Sequence, residues 1–299
     1  MHPVNDAKEL TNAEWHDLRD PASPELDDLA ARYGLHPLHI EDCRNRHQRA
    51  KVDQGDGYLF IVLKPIALDK DGTVLPSDLD VFVGPNFTLT VSEDGGPEVA
   101  KLLDSVHAAQ VTRPDQILYR IFDTVVDSYL PILDSYDDQI DELQDQVLDN
   151  PMAGQLARLF EIKRALVDVR RVLTNTRDVA MHLQRTENTL IEKDLWPFFR
   201  DVYDHVARNL DLVETQRDLL GGALDVYLSS VANRTNQIMK VLTVMGTAVL
   251  PAVVITSFYG MNVKGIPFTD APNGATMVTL VIVVSTAALL VLLRWLKWL

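Results

Sequence analysis

The chain has a single cysteine, Cys43, among its 299 residues. One thiol cannot form an intrachain disulfide, so a disulfide-stabilised extracellular scaffold is excluded and a reducing compartment is indicated. Basic residues are also few, with 28 Lys and Arg against 43 Asp and Glu. The resulting net charge of −15 disfavours nucleic acid and anionic lipid as partners and favours the attraction of cations.

The common motifs of soluble catalysis are absent from the sequence. It has no Gly-Lys dipeptide, hence no P-loop for ATP-driven transport, and no CxxC, HExxH or GxSxG motif. We therefore predict no enzymatic activity and no nucleotide cofactor. The first ten residues lack an apolar core, so we expect no cleaved signal. The best metal-like cluster in the soluble part is His36, His39, Glu41 and His47, but Pro37 interrupts it, and a short surface helix is the simpler interpretation.

Two stretches near the end of the chain, residues 241–263 and 271–293, contain no charged side chain. As helices each would reach about 35 Å, enough to cross a hydrocarbon core about 30 Å thick. We therefore predict a multi-pass membrane protein of the cell (inner or plasma) membrane, with the lipid bilayer as one of its partners. Lys240 precedes the first stretch, and Arg294 and Lys297 follow the second, which predicts cytoplasmic N- and C-termini.

The rest of the sequence predicts an α+β fold. Short β-branched and aromatic runs at 58–65 and 79–91, separated by turn residues, indicate strands in an N-terminal α/β domain. Apolar residues then recur with a period of 3.5 over 119–147, which predicts one long helix packed on another. A second helix is expected over 152–183. A third should run from Trp196 into the first apolar stretch.

This pattern divides the chain into three domains. We predict a cytoplasmic α/β domain at 1–114, long cytoplasmic helices at 115–238, and a two-span transmembrane domain at 239–299. Gly221 and Gly222 lie within the third helix, where each destabilises the helix by about 1 kcal/mol relative to alanine. A hinge, a close helix crossing or a tolerated weak spot would each explain this pair.

Residues 134–149 contain seven carboxylates and no basic residue. They are interpreted either as a solvated helix face or as a cation-attracting surface near a pore entrance. The helix that follows carries basic side chains and could pack back antiparallel with complementary charge. These basic residues are Arg158, Lys163, Arg164, Arg170 and Arg171.

One face of the first apolar stretch is polar at both ends and apolar in the middle. Its residues recur every three or four positions, as expected for one side of a helix. They are Asn236, Met239, Leu242, Gly246, Leu250, Val253 and Ser257. Such a face suits a pore with a hydrophobic constriction, although spacing alone also permits a helix-packing face. Because two spans cannot enclose a water-filled path, a pore requires several copies around an axis.

The sequence resembles the CorA family of divalent-cation channels. The resemblance rests on Thr-Asn-Gln-Ile-Met-Lys-Val-Leu-Thr at 235–243, then Pro251, Tyr-Gly-Met-Asn at 259–262 and a second span. It continues upstream in 199–205 and 224–230, more loosely in 47–52, and covers the chain from about residue 35 to the end. Gly-Met-Asn at the outer end of the first of two C-terminal spans is the signature of this family.

The resemblance implies a homopentamer in which 115–238 form a cytoplasmic funnel and stalk and 239–299 form the transmembrane pore domain. It would transport Mg²⁺, with Co²⁺ and Ni²⁺ as surrogates, driven by the membrane potential. Gly260, Met261 and Asn262 would form the selectivity filter, which holds a hydrated cation. Asn236 would lie at the cytoplasmic end of the pore, and Met239 and Leu242 would form the apolar gate. Asp201 would bind a regulatory Mg²⁺ between neighbouring subunits, so that intracellular Mg²⁺ closes the channel. Its acidic partner is assigned to Glu98.

Two departures from the magnesium-type pattern keep an alternative open. Val253 and Ser257 replace the threonine and glycine of many members, and residues 263–268 resemble the zinc-transporting ZntB branch, which could be proton-coupled. The match around Asp201 favours Mg²⁺. A receptor or scaffold anchored by a two-helix hairpin is a more remote alternative, since it would need neither a polar outer motif nor a pore face.

Overall fold

A computed structural model describes residues 14–45, 48–69, 72–93, 97–149, 151–185, 190–263, 265–267 and 271–296. The chain divides into two compact units, residues 1–224 and 225–299, and the division falls inside one long helix. The predicted α+β membrane-protein fold is confirmed: strands and short helices come first, long helices follow, and two apolar helices end the chain. Each unit is described by itself below.

The first unit is built around a five-stranded sheet in the order β1-β7-β6-β3-β2, beside a separate β4-β5 hairpin. β1 pairs parallel with β7, and the other strand pairs of the larger sheet are antiparallel. The sequence-predicted strand at 58–65 corresponds to β3, and the one at 79–91 corresponds to β6 and β7. The strands are β1 (Glu14–Leu18), β2 (Lys51–Gln54), β3 (Leu59–Leu63), β4 (Ile66–Leu68), β5 (Val74–Pro76), β6 (Leu79–Val83) and β7 (Phe87–Ser92).

Both faces of the sheet are covered. Every residue of β3 is buried, although its side chains alternate between the two faces. Leu59 and Ile61 join a core with the long helices, whereas Phe60 and Val62 join a second core with two short helices. This two-sided burial explains why β3 reads as a continuous apolar run rather than as an alternating one. The short helices are α1 (Pro24–Tyr33) and α2 (Pro37–Arg44).

The histidines of α2 have structural partners. The His36 side chain caps the helix by accepting a hydrogen bond from the backbone N–H of Leu38, at 3.2 Å. His39 Nδ1 lies 2.8 Å from the hydroxyl of Tyr58, and its ring stacks on Phe60. The structure therefore supports the surface-helix interpretation of this segment. His47 lies outside the described residues.

The predicted single helix over 119–147 is wrong, because two helices occupy this segment. They are α4 (Pro114–Asp127) and α5 (Leu130–Asp149). Pro131 lacks a backbone N–H, and its ring disfavours a helical residue before it, so the chain turns at 128–129. The buried side chain of Tyr129 fixes this turn by donating a hydrogen bond to the backbone oxygen of Lys64, at 2.8 Å.

The remaining helices of the first unit pack against α4 and α5. α3 (Pro97–Ala108) precedes α4, and α6 (Ala153–Arg185) returns along α5 after a short connection. A 3-10 turn then leads into α7 (Trp196–Tyr259), which begins where the sequence predicts. Gln216 of α7 is fully buried and donates a hydrogen bond to the backbone oxygen of Leu133 on α5, at 2.8 Å.

The second unit contains the remainder of α7 and α8 (Gly274–Trp295). By length and composition, two helical segments of the described chain can cross a membrane, Lys193–Tyr259 and Gly274–Trp295. The helix passes through Gly221 and Gly222 without interruption, and a Cβ added at either glycine would have no neighbour within 4 Å in the chain. Within one described chain, close packing therefore does not explain this glycine pair.

Candidate ion pathway and cation site

All seven residues of the predicted pore face lie on α7 and are exposed in the single chain. The large apolar side chains of the predicted gate are among them: Met239 is 60% exposed and Leu242 is 69% exposed. Exposed apolar side chains at regular helical spacing are typical of a surface that another chain or lipid covers. We call the seven residues, which run from Asn236 to Ser257, the pore face.

The opposite side of α7 is partly covered within the second unit. Its covered residues repeat every three or four positions: Val244, Ala248, Pro251, Ile255 and Tyr259. At 100° per residue, the centre of this set lies about 160° around the helix axis from the centre of the pore face. α8 has a matching covered stripe: Val278, Ile282, Ser285, Leu289 and Leu293.

We infer that these less exposed sides are the ones on which α7 and α8 meet. The described part of the second unit consists of these two helices and the segment between them, so no other element of the unit can cover the stripes. The pore face lies on the side of α7 away from this inferred contact. Ile238, Met245 and Val254 are exposed to a similar degree, so exposure alone does not separate a pore face from a helix-packing face.

The Gly-Met-Asn motif follows directly on the last turn of α7. The backbone N–H of Gly260 donates to the carbonyl oxygen of Thr256 at 2.9 Å, which closes the helix. A Cβ at Gly260 would lie 3.1 Å from that same oxygen, so this position favours glycine. Met261 and Asn262 are exposed, and within the described chain the amide of Asn262 makes no side-chain hydrogen bond. Its oxygen is therefore available to an external donor such as a water molecule.

A cluster of acidic residues and one histidine surrounds Asp201. His205 Nε2 lies 3.7 Å from Asp201 Oδ2, and His205 Nδ1 lies 3.8 Å from Asp127 Oδ1. One possible ligand atom from each of Asp123, Asp127 and His205 lies within 4.8 Å of the others. In the parts of the chain that the structure describes, this is the group of three or more such side chains that could hold a metal ion. We call Asp123, Asp127, Asp201 and His205 the α4–α7 cluster.

The fold positions the cluster through two one-turn pairs. Asp123 and Asp127 lie one turn apart on α4, and Asp201 and His205 lie one turn apart on α7. Apolar neighbours on the same helices, including Phe122, Val126, Phe199 and Val202, are buried in the shared core. Core packing therefore brings the two polar pairs together at the edge of that core.

Electrostatics at the cluster favour a bound cation. Burial raises the pKa of the half-buried Asp123 carboxyl, and the neighbouring Asp127 carboxylate raises it further. A hydrogen bond from Tyr119 and the charge of His205 act in the opposite direction. The Asp123 and Asp127 carboxylates share one site and repel each other unless a proton or a metal ion neutralises them. Carboxylate oxygens suit Mg²⁺, and the imidazole nitrogen also suits Co²⁺, Ni²⁺ or Zn²⁺.

A sequence model described as a CorA-like Mg²⁺ transporter protein matches residues 12–297 of the chain. The chain belongs to this family. A CorA relative from Thermotoga maritima, a cobalt/magnesium transport protein, is 38% identical over 272 residues, which are 89% of this chain and 78% of the relative. The YfjQ protein of Bacillus subtilis, a putative metal ion transporter, is 30% identical over 256 residues, 85% of this chain and 79% of that protein.

Known structures support the same family fold. The complete structure of the CorA magnesium transporter from Methanocaldococcus jannaschii matches with a TM-score of 0.83 at 25% identity. The match covers 95% of this chain and 91% of that structure. The likeness therefore extends over both units of this CorA-family chain.

Sequence reasoning identified Asp201 but missed the other three members of the cluster. Asp123 and Asp127 come about 75 residues earlier in the chain, within a segment interpreted as part of one long helix. The signal that could have identified them is the pair of polar residues, one turn apart, on each of two helices that share a core.

Glu98, the predicted partner of Asp201, is exposed in the first turn of α3. It lies at an apolar groove of about 430 Å³ whose lining includes Ile66, Leu102 and Ile132. Among the described residues it belongs neither to an ion pair nor to the α4–α7 cluster. Its pairing with Asp201 of another copy stays a prediction.

Proposed function

We propose that this CorA-family chain forms a homopentameric channel for divalent cations, with Mg²⁺ as its main substrate and Co²⁺ and Ni²⁺ as further substrates. The observation that carries this proposal is the exposure of the pore face on the side of α7 opposite its partly covered residues. Five such faces around one axis would line a path, with the α8 helices outside. The names of the Thermotoga and Methanocaldococcus relatives support the choice of ion.

Gly260, Met261 and Asn262 form the outer filter in this proposal. A ring of Asn262 amide oxygens accepts hydrogen bonds from the water shell of the entering ion. Mg²⁺ loses its water reluctantly, so contacts through water cost less than direct coordination by protein. The end of α7 at Gly260 supports this assignment, because these side chains follow the apolar part of the helix directly.

The pore face forms the path below the filter. Ser257, Val253, Leu250 and Gly246 follow in order, and Leu242 and Met239 form the gate, with Asn236 at the cytoplasmic end. Exposed apolar side chains in a narrow ring exclude water and so block ions until the ring widens. The chain would act as a transporter, with no chemical conversion of its substrate and no nucleotide.

The membrane potential drives influx in this proposal. With both termini in the cytoplasm of a cell or inner membrane, a divalent ion gains about 4.6 kcal/mol per 100 mV on entering, twice the value for a single charge. The three predicted domains take separate roles: residues 1–114 and 115–238 sense the internal cation, and 239–299 conduct.

The α4–α7 cluster is the proposed sensor of intracellular Mg²⁺. Asp201 binds the regulatory ion together with Asp123, Asp127 and His205, and Glu98 of a neighbouring copy completes the site. Without a cation these carboxylates repel, which loosens the contact between copies and favours the open pore. Bound Mg²⁺ removes the repulsion and favours closure.

Cation uptake by the full-length protein in liposomes tests this function. We expect Mg²⁺ influx that follows an inside-negative potential, needs no pH gradient and is blocked by hexa-ammine cobalt, which mimics hydrated Mg²⁺. Empty liposomes are the control. Zinc uptake that requires a proton gradient, without comparable Mg²⁺ uptake, would assign the chain the ZntB-type activity instead. Absence of uptake for every divalent ion would favour the anchored receptor or scaffold.

A further inference from the structure

The α5–α6 hairpin carries opposite charges on two outer faces. The acidic face of α5 points away from the core and consists of Asp134, Asp138, Asp141, Glu142 and Asp145, all exposed. The basic face of α6 likewise points away from the core and consists of Phe160, Lys163, Arg164, Val167 and Arg171, all exposed. Each face is a stripe at helical spacing, as expected for a surface that packs against another helix.

These charges are not paired with each other inside the chain. The helices do pack back along each other, but the side-chain bond that joins them runs from Arg158 to the amide of Gln139. Arg170 pairs with Glu214 of α7 rather than with α5. Among the described residues, no member of the acidic face and none of Lys163, Arg164 and Arg171 takes part in an ion pair. The predicted charge pairing between the two helices is therefore absent from the described chain.

The basic face also contains two apolar side chains that are exposed to water. Phe160 is 50% exposed and Val167 is 41% exposed, and they alternate with Arg164 and Arg171 at intervals of four and three residues. Burying such side chains against another helix stabilises an interface, because apolar surface is removed from water.

We propose that the acidic face of one copy packs against the basic face of the next copy around the ring. The proposal rests on the cyclic assembly proposed above and adds its outer contact. One copy carries both complementary faces, so each subunit can bind a neighbour on either side, and repetition closes a ring. The partner is a second copy of this chain, because each face has its complement on the same hairpin.

The bond between Arg158 and Gln139 also fixes the level at which the faces meet. The two helices run antiparallel, so Arg164 lies at about the level of Asp134, and Phe160 at about that of Asp138. Rotation about an axis that runs along the hairpin keeps these levels. Arg164 of one copy therefore meets Asp134 of its neighbour.

Charge reversal and its compensation test this contact in the full-length protein. Arg164→Glu should weaken the ring about threefold at each contact, because an exposed ion pair becomes a repulsion. Five contacts multiply this effect to about two hundredfold in the assembly constant, measured by native mass spectrometry on dilution in detergent. Adding Asp134→Arg to the same chain should restore the wild-type dilution midpoint. Arg44→Glu, an exposed reversal on α2, is the matched control, and circular dichroism verifies that each variant folds.

Several results would overturn the proposal. Arg164→Glu could dissociate no more readily than Arg44→Glu, or the added Asp134→Arg could fail to restore assembly. A wild-type chain that stays monomeric would overturn both the ring and this contact. Uptake in liposomes is measured separately, so a ring that responds to these charges but transports no cation would refute the proposed function and leave the interface standing.

Discussion

Replacing Gly221 and Gly222 by alanine separates the three explanations of this glycine pair. Both residues lie inside α7, and a Cβ at either position would meet nothing within 4 Å in the chain. The substitutions therefore add helix propensity without a clash, at about 1 kcal/mol each and about 2 kcal/mol together. For a chain of about 300 residues, this gain corresponds to a rise of about 3 °C in Tm.

Thermal unfolding in detergent and Mg²⁺ uptake in liposomes are measured on the same double variant. A weak spot predicts a higher Tm with unchanged uptake, whereas a hinge used in gating predicts a higher Tm with slower uptake. A close crossing with another copy predicts a lower Tm, because the two methyl groups would then clash. An unchanged Tm would refute the reasoning, since it would mean that the glycines cost the helix nothing.

Three further predictions concern single side chains. Asn262→Ala should reduce cation uptake more than tenfold with assembly intact, because a methyl group cannot hydrogen-bond the water shell of the ion. The control Asn273→Ala, in the same connection between the two helices, should have little effect. Near-normal uptake by Asn262→Ala would refute the proposed filter. Asp201→Asn should raise the Mg²⁺ concentration that gives half-maximal protection from protease about tenfold, because fewer anionic ligands face the ion. An unchanged concentration would place sensing elsewhere, with the acidic segment at 134–149 the next candidate. Burial and the Asp78 charge raise the pKa of Asp80 to about 7. The free energy of unfolding should therefore fall as pH rises from about 4 to 7, because the unfolded carboxyl loses its proton over this range and the folded one keeps it. Denaturant titrations of Asp80→Asn should lack this slope, and an equal slope in the variant would contradict the assignment.

The sequence predicts those elements whose signal is local. The apolar run at 58–65 and the two uncharged stretches each indicate an element without reference to distant residues, and β3, α7 and α8 match them. The prediction of one helix over 119–147 was wrong, and the reason is also local. Apolar periodicity continues across Pro131, and only the missing N–H of that proline marks the break between α4 and α5.

Long-range relations account for what the sequence does not predict. Asp123 and Asp201 belong to one cluster because α4 and α7 share a core, and no local pattern states which helices pack together. The seven residues of the pore face could be grouped by spacing alone. Their accessibility could not, because it depends on which side of α7 packs against α8.

The division of α7 into one covered and one uncovered side has a consequence for heredity. In the proposed ring, each uncovered residue occurs five times around one opening, so a single codon change alters the whole circumference at that level. When altered and normal copies are made in equal amounts and mix at random, about one ring in thirty contains normal copies alone. Changes on the uncovered side should therefore act dominantly, whereas changes on the side that meets α8 affect each subunit separately.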